Sequence, residues 1–288
     1  MRELKILGVV VFFTVFTYIG VNTYAYSVMK PAVAPADFQF KDLPRNDKIG
    51  DASRGAEVFM NAGCIGCHGL ESQGIPAPMN DADAAASFGV VPPDLSNAGL
   101  IFDSHFLAAV IKNPAKAMLN DHKFNESNPH PMPNFYGLGG DIDQELADIV
   151  AYLQSIAPEK VSDEQVYVDA CMQCHSIKYT GLMSNKDPIL MAKYMGSVPP
   201  DLSMFIRSRG ADYLETFINN PQKHLAGTAM PRVGLTQAAQ EQVVAYIEYA
   251  GDRKKDERES LGIKVLGFMI ILTILAYLWK VKIWREVH

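Results

Sequence analysis

Apolar positions follow one pattern at the two ends of the chain and another between them. Residues 6–21 and 261–279 are continuous apolar runs, and the second holds a single charge, Lys264, near its start. A helix of about 20 apolar residues crosses a bilayer, while shorter runs are typical of signal sequences. The second run is apolar on all sides, which favours a membrane helix. For the first run we expect a retained anchor rather than a cleaved signal, because no small-x-small cleavage site follows it.

Basic residues flank both runs on their outer sides. Arg2 and Lys5 precede the first run, and Lys280, Lys282 and Arg285 follow the second. Positive charge is retained on the cytoplasmic side of a membrane. We therefore expect both termini in the cytoplasm and everything between the runs on the opposite side.

Between the runs, apolar residues recur at helical spacing, as at Leu146, Ile149, Val150 and Leu153. Strand signals are few, so the pattern predicts an all-α fold. The expected helices are residues 52–60, 104–111, 144–156, 162–170, 211–218 and 236–250.

These helices come in two sets because the middle of the chain is duplicated. The string Val-Pro-Pro-Asp-Leu-Ser occurs at residues 91–96 and again at 198–203, each copy 27 residues after a cysteine, Cys64 or Cys171. Self-similarity in the same order along the chain indicates tandem repeats. The repeat predicts an N-terminal anchor or signal with its linker, two domains, and a C-terminal transmembrane anchor: residues 1–40, 41–157, 158–252 and 253–288.

Each repeat contains the pentapeptide Cys-x-x-Cys-His. The residues are Cys64, Cys67 and His68 in the first repeat and Cys171, Cys174 and His175 in the second. This spacing is the attachment signature of c-type haem, in which two thiols bond the vinyl groups and the histidine becomes the proximal iron ligand. A zinc site is the rival interpretation, but zinc sites keep their cysteine pairs closer in sequence and need no histidine after both. We expect two covalently attached haem c groups.

A methionine in each repeat is a candidate for the sixth iron ligand. Met132 and Met230 lie in proline-containing loops at matching places, 68 and 59 residues after the first cysteine of their motifs. A thioether paired with imidazole gives a closed iron shell with a raised reduction potential. His130, two residues before Met132, is the alternative in the first repeat.

The charge of the chain is −6 in total and is unevenly distributed. Residues 41–157 hold 7 basic and 15 acidic residues, and residues 158–252 hold 8 and 11. Acidic surfaces favour encounters with basic carriers, and we expect no nucleic-acid partner.

Pro31 and Pro35 lie in the linker before residue 41. We expect this linker to let the first domain lie farther from the membrane than the second.

The order of motif helix, methionine loop and closing helix resembles class I cytochrome c. In that family a carbonyl of the proline region accepts a hydrogen bond from the proximal imidazole, a role open to the Pro-Pro pairs at 92–93 and 199–200. A turn that starts the next helix is the alternative for these prolines. The resemblance implies two tandem class I cytochrome c-like domains between two transmembrane helices.

The second repeat is also similar to cytochrome c1. The shared segment is Pro-Pro-Asp-Leu-Ser, three residues, then Arg-x-Arg, ending at Arg209, and the tail from residue 250 resembles the cytochrome c1 anchor. The resemblance implies that Arg209 meets a haem propionate, since arginine binds carboxylates bidentately. Ordinary cytochrome c1 carries one haem and a longer head, so the chain resembles the di-haem subunit of some bacterial bc-type complexes.

From this resemblance we expect an electron-transfer subunit of a quinol–cytochrome c reductase (cytochrome bc1 complex) that is not an enzyme on its own. Its partners would be cytochrome b, a Rieske iron–sulfur protein, and a soluble or oxidase-bound cytochrome c. The haem domains would lie in the periplasm and the anchors in the inner membrane. The alternatives are the di-haem subunit of a cbb3-type oxidase, whose family lacks a C-terminal anchor, and a haem enzyme such as a di-haem peroxidase, which needs an exchangeable sixth site.

Overall fold

The computed structural model of the protein describes residues 2–29, 36–184 and 188–287. Within these ranges the chain is helical, and its only extended pairings are isolated β-bridges. The all-α expectation is confirmed for this part of the chain. Pro31 and Pro35 lie outside the described residues.

Long helices form at both ends. They are α1 (Arg2–Met29) and, at the other end of the chain, a 33-residue helix, Lys255–Val287. Both are long and apolar enough to cross a membrane, since their most apolar 18-residue windows, within Leu4–Ala25 and within Lys255–Glu286, have mean hydropathies of 2.1 and 2.3. Their side chains are exposed in the isolated chain, as expected for surfaces that lipid or protein would cover.

Six helices form between residues 36 and 157. They are α2 (Ala52–Asn61), α3 (Asp81–Phe88), α4 (Ala98–Ile101), α5 (Ser104–Lys112), α6 (Pro114–Ala117) and α7 (Ile142–Ile156). The expected leading, middle and closing helices are α2, α5 and α7, each within two residues of its expected bounds. The short helices α3, α4 and α6 form in stretches for which no helix was expected.

The second half repeats this order before the final helix. Its helices are α8 (Asp163–Ala170), α9 (Pro188–Met195), α10 (Phe205–Arg209), α11 (Ala211–Asn219), α12 (Pro221–His224) and α13 (Gln237–Gly251). The terminal helix α14 (Lys255–Val287) follows them. The expected helices are again present, as α8, α11 and α13. We refer to residues 36–157 as the first half and to residues 158–252 as the second half.

The leading and closing helices of the first half cross very closely. A Cβ atom on Gly55 of α2 would lie 1.9 Å from the carbonyl oxygen of Asp148 on α7, so only glycine fits there. The Asp148 carboxylate accepts hydrogen bonds from Arg54 Nε and Nη2, both at 2.9 Å, and from the Asp51 N–H at 2.7 Å. The crossing therefore holds the C-terminal end of α2 against α7. Because the first motif begins just after α2, its position is held as well.

Each half packs an apolar core beside its motif. In the first half Phe59 and Leu70 pack with Ile149 and Leu153 of α7, and all four are buried. The largest cluster belongs to the second half and centres on α8, α11 and α13. Ile101 of the first half is buried within that second-half cluster.

Backbone hydrogen bonds join the two halves along a seam, which we define as residues 101–103 against residues 232–236. The Asp103 N–H donates to the Gly234 carbonyl and the Thr236 N–H to the Ile101 carbonyl, each at 2.9 Å. Phe102 and Leu235 form the antiparallel bridge between them. Paired backbone of this kind holds the halves in a fixed register.

The last part of the linker and the residues just after it lie against the second half. The N–H of Asp37 donates to Asn219 Oδ1 at 2.9 Å, and Arg232 Nη2 donates to Asp42 at 2.9 Å. The Arg232 guanidinium is buried and also lies over the Phe40 ring, 5.7 Å from its centroid. The side chains that hold this segment, Asn219 and Arg232, belong to the second half. The sequence of the linker alone therefore could not predict these contacts.

Candidate haem sites

Both pentapeptides fold into the same tight turn at the end of a leading helix. In the first motif the N–H groups of Cys67 and His68 donate to the Cys64 carbonyl, at 3.2 and 3.0 Å. The second motif makes the corresponding bonds at 3.0 and 2.8 Å. The turn places two thiols and one imidazole on a short, rigid segment, which is the arrangement that haem attachment requires.

A proline carbonyl orients each imidazole. His68 Nδ1 lies 2.8 Å from the Pro93 oxygen, and His175 Nδ1 lies 2.8 Å from the Pro200 oxygen. A carbonyl only accepts, so Nδ1 carries the proton and Nε2 keeps its lone pair. Burial lowers the pKa of both histidines, which favours the neutral ring. The carbonyl role expected from the class I resemblance is confirmed, and the second proline of each pair performs it.

The aspartate and serine after the prolines fix the chain that follows each motif. Asp94 Oδ2 accepts the Glu71 N–H at 2.9 Å, and Ser96 Oγ accepts the Ser72 N–H at 3.0 Å. The second half repeats these bonds through Asp201 and Ser203, at 3.1 and 3.2 Å. Sequence reasoning did not assign these residues, although the recurrence of the whole Pro-Pro-Asp-Leu-Ser string pointed to them.

Each methionine loop is hydrogen-bonded to the middle helix of its half, and the bond lies at the same distance in sequence from the methionine. Three residues after each methionine, Phe135 donates its N–H to the Ile111 carbonyl at 3.1 Å, and Val233 donates to Ile218 at 3.5 Å. Met230 packs, partly buried, against the core cluster of the second half. This common attachment supports the alignment of the two loops, and iron ligation by their methionines stays a prediction.

His130 lies close to Met132 in the first half. Its Nδ1 atom is 3.1 Å from both the backbone nitrogen and the backbone oxygen of Met132, and its ring meets Phe124 edge-on at 4.8 Å. Burial lowers the pKa of His130. The ring therefore has structural partners at the Met132 loop.

Arg209 is exposed at the end of α10. Its guanidinium lies over the ring of Tyr213, 5.3 Å from the centroid. Tyr213 in turn packs against the second-half core cluster that also contacts Met230. The stacking holds the arginine beside that half, and its contact with a propionate stays a prediction.

The four cysteines form no disulfide, and all are at least partly buried. Burial raises the pKa of the Cys171 thiol to about 12, so the thiol is neutral at physiological pH. Among the described residues no group of three or more His, Cys, Asp or Glu side chains converges on one point. A zinc site would require such convergence.

A cavity of about 570 Å³ separates the two motifs. Cys67 of the first motif and Gln173 of the second both line it, together with Asp94 and Asp169. Asn97 Nδ2 donates to Asp169 Oδ2 across this interface at 2.7 Å, and burial raises the pKa of the Asp169 carboxyl group. The two motifs therefore face a common space inside one packed body.

Comparison with known proteins agrees with the helical fold and the repeated motif. The family model described as Cytochrome c matches two stretches, residues 52–157 and 164–251, which together make up more than half of the chain. The chain belongs to the cytochrome c family. Membership implies covalently attached haem c. A second model, the Cytochrome C1 family, matches residues 232–287.

Three curated relatives are similar to parts of the chain. The ammonia monooxygenase gamma subunit of Nitrosomonas europaea is 29% identical, covering 33% of this chain and 57% of the relative. Cytochrome c1 of Allochromatium vinosum is 29% identical over 38% of this chain and 63% of its own length. Cytochrome c1 of Rhodospirillum rubrum is 47% identical over 18% of each chain. The chain thus spans less than two thirds of the length of these relatives.

Proposed function

We propose that this chain is the membrane-anchored di-haem electron carrier of a quinol–cytochrome c reductase. The observation that carries the proposal is the match of residues 232–287 to the Cytochrome C1 family, because that segment joins the second half to an apolar helix. It contains α13 and α14, the elements that would connect a haem domain to its anchor. The chain would carry electrons and would not be an enzyme by itself.

We infer two equivalent sites for haem c. Cys64, Cys67 and His68 would hold one haem with Met132, and Cys171, Cys174 and His175 would hold the other with Met230. The support is the repeated turn and the repeated Nδ1–carbonyl bond at 2.8 Å, which leaves each Nε2 as the available ligand atom. Haem c supplies a one-electron couple at each site. The chain would fix the ring tautomers and hold the methionine loops on the middle helices.

The proposed topology follows from charge and from the apolar helices. α1 and α14 would span the inner membrane with both termini in the cytoplasm, because basic residues lie at the extreme ends. The two halves would then lie together in the periplasm. The proposed partners there are a Rieske protein as donor and a soluble or oxidase-bound cytochrome c as acceptor, with cytochrome b beside α14.

Two observations separate this proposal from the alternatives. A cbb3-type subunit would not carry a C-terminal anchor, whereas α14 contains an apolar run, residues 261–279, of about the length that crosses a bilayer. A di-haem peroxidase needs an exchangeable sixth site, and both methionine loops are pinned to their middle helices. The likeness to an ammonia monooxygenase gamma subunit gives a second candidate, electron delivery to an oxygenase.

Purification of the tagged chain from native membranes in mild detergent tests the proposal. We expect cytochrome b and a Rieske protein to copurify, and a pyridine haemochrome assay to give two haems per chain. Copurification with oxidase or monooxygenase subunits would overturn the assignment to the reductase. A ratio near one haem would overturn the di-haem assignment independently.

A further inference from the structure

An exposed group of two tyrosines and one arginine lies where the second half meets α14. We call Tyr179, Tyr249 and Arg253 the basal triad. The Arg253 guanidinium lies over the Tyr249 ring, 5.1 Å from its centroid, and Arg253 Nη2 is 3.5 Å from the Tyr179 carbonyl oxygen. Both tyrosine side chains are exposed, at 57% and 58%. Arg253 therefore brings two separate elements, the turn after the second motif and the end of α13, into one exposed surface.

The basal triad lies close to the level of the lipid headgroups. α13 ends at Gly251 and α14 begins at Lys255, so Arg253 is in the short connection between them. Leu261, the first residue of the apolar run, lies six positions after Lys255, a rise of about 9 Å along a helix. The headgroup layer on each side of a bilayer is about 5–8 Å thick. Long basic side chains reach along such distances, and tyrosine is enriched at this level.

The local charge leaves the triad available for an anion. Lys254 pairs with Glu257 at 2.7 Å, Lys255 pairs with Glu248, and Arg258 pairs with Asp252. The Arg258 bond lowers the pKa of Asp252, which therefore stays ionised and paired. Among the described side chains, Arg253 has no carboxylate within ion-pair distance. Lys178, which directly precedes Tyr179 in the chain, is exposed and adds further positive charge.

We propose that the basal triad binds the phosphate of an anionic phospholipid headgroup in the leaflet nearest the two halves. Arg253 would donate to the phosphate, and the two tyrosine rings would lie in the interfacial layer beside it. The bound lipid would set the height and tilt of the second half above the membrane. The inference rests on the proposed function only in requiring that α14 spans the membrane.

Native mass spectrometry of the full-length holoprotein, released from nanodiscs, tests the proposal. The discs contain phosphatidylcholine alone or phosphatidylcholine mixed with phosphatidylglycerol. We expect the protein to retain phosphatidylglycerol selectively, and Arg253→Gln to reduce its retention about fivefold, since one arginine at an anionic surface contributes about 1 kcal/mol. Arg45→Gln removes the same charge from an exposed position in the first half and serves as the matched control.

Amide hydrogen exchange supplies a second measurement on the same discs. Protection of residues 177–181 and 249–254 should increase in the mixed discs and should be lost in Arg253→Gln but not in Arg45→Gln. Equal retention by both variants, or equal protection in both lipids, would overturn the proposal. Protection that appears only after cytochrome b is added would also overturn it, because the surface would then be a protein contact. Release of the chain by alkaline extraction would instead refute the membrane span of α14.

Discussion

At the scale of single residues, the best-defined feature is the tautomer of the two motif histidines, His68 and His175. The carbonyls of Pro93 and Pro200 each lie 25 residues beyond the histidine that they bind. They hold Nδ1 in the protonated form, so the electron pair that could bind a metal is the one on Nε2. Backbone carbonyls cannot be removed by substitution at their own position, which makes this a robust way to set a ligand.

The proposed axial role of Met230 predicts a change in reduction potential. Met230→His should leave haem attached and lower the midpoint potential of one haem by on the order of a hundred millivolts, because imidazole stabilises ferric iron relative to thioether. A spectroelectrochemical titration measures the shift. Met204→His is the control, since Met204 is an exposed methionine at the start of α10. A titration of Met230→His that matches the wild type would show that Met230 is no ligand.

Arg209 allows a similar comparison. A cation beside a propionate favours its ionised form, so Arg209→Gln should move the potential of the second haem by tens of millivolts. Arg207→Gln removes an equally exposed arginine two residues earlier and should move it less. Equal shifts in the two variants would indicate a general surface-charge effect and not a propionate contact.

At the scale of elements, the leading and closing helices of each half are held together by a side chain at the same place in the closing helix. The residue type differs between the two halves. In the first half the crossing of α2 and α7 is held by Asp148, whose side chain is 4% exposed and pairs with Arg54. In the second half Gln242 occupies the matching place, and its Nε2 donates to the Val161 carbonyl at 3.1 Å and to Asp163 at 2.9 Å. A carboxylate and an amide thus perform the same packing role, but only the carboxylate makes stability depend on pH.

Asp148→Asn should destabilise the first half in a pH-dependent manner. The bond from Arg54 lowers the pKa of Asp148 from 3.8 to about 2, so the ionised form is favoured in the folded protein. This difference corresponds to about 2 kcal/mol, present above pH 4 and lost as the pH falls towards 2. Thermal melts of wild type and variant at several pH values measure it. Asp143→Asn removes an exposed pair with Lys112 and should cost less than about 1 kcal/mol. A gap between Asp148→Asn and wild type that does not narrow in acid would contradict the assignment.

Periodicity located the leading, middle and closing helices because each presents a long apolar face. The four-residue helices are too short for any period to show, although α6 carried a local signal: Asn113 caps it by accepting the Lys116 N–H, and Pro114 is its first residue. The motif cysteines and histidines were evident from spacing. The roles of Asp94 and Asp201 were not, because their partners lie 23 residues away and meet them only in the folded chain.

At the scale of the whole molecule, the two halves are parts of one body. The seam supplies paired backbone, and Gly234 lets it approach Phe106 so closely that a Cβ would lie 2.0 Å from the ring. Gly234 also has φ of +75°. Any residue with a Cβ atom is therefore unfavourable at position 234 for two reasons, backbone strain and a clash with the buried Phe106 ring.

A pair of glycine substitutions separates these two effects. Gly234→Ala should lower the free energy of unfolding more than Gly227→Ala, by about 2 kcal/mol. Gly227 has nearly the same φ, +79°, but nothing lies within 4 Å of its would-be Cβ. Chemical denaturation of the holoprotein in detergent measures both. Similar losses of unfolding free energy in the two variants would mean that the seam accommodates the added methyl group without loss of stability. The seam would then not couple the two halves.

The asymmetry of the molecule predicts the direction of electron flow. The second half joins α14 through three residues, so in the proposed topology it would lie near the membrane and close to the Rieske donor. The first half is the more acidic, with 7 basic and 15 acidic residues over 41–157, and suits a basic acceptor. Electrons should therefore enter at the His175/Met230 site and leave from the His68/Met132 site. Because the linker and seam fix the halves, the transfer between them would not depend on a tethered domain swinging.

Rapid mixing of the assembled complex with quinol tests this order in a Met132→His variant. The added imidazole should lower the potential of the first haem and make transfer onto it unfavourable. The second haem should then be reduced at the wild-type rate, while reduction of the external cytochrome c stalls. His130→Ala serves as the control, since it alters the same loop but keeps Met132 and should preserve onward transfer. If reduction of the second haem is the step that slows in Met132→His, electrons enter through the first half and the order is reversed.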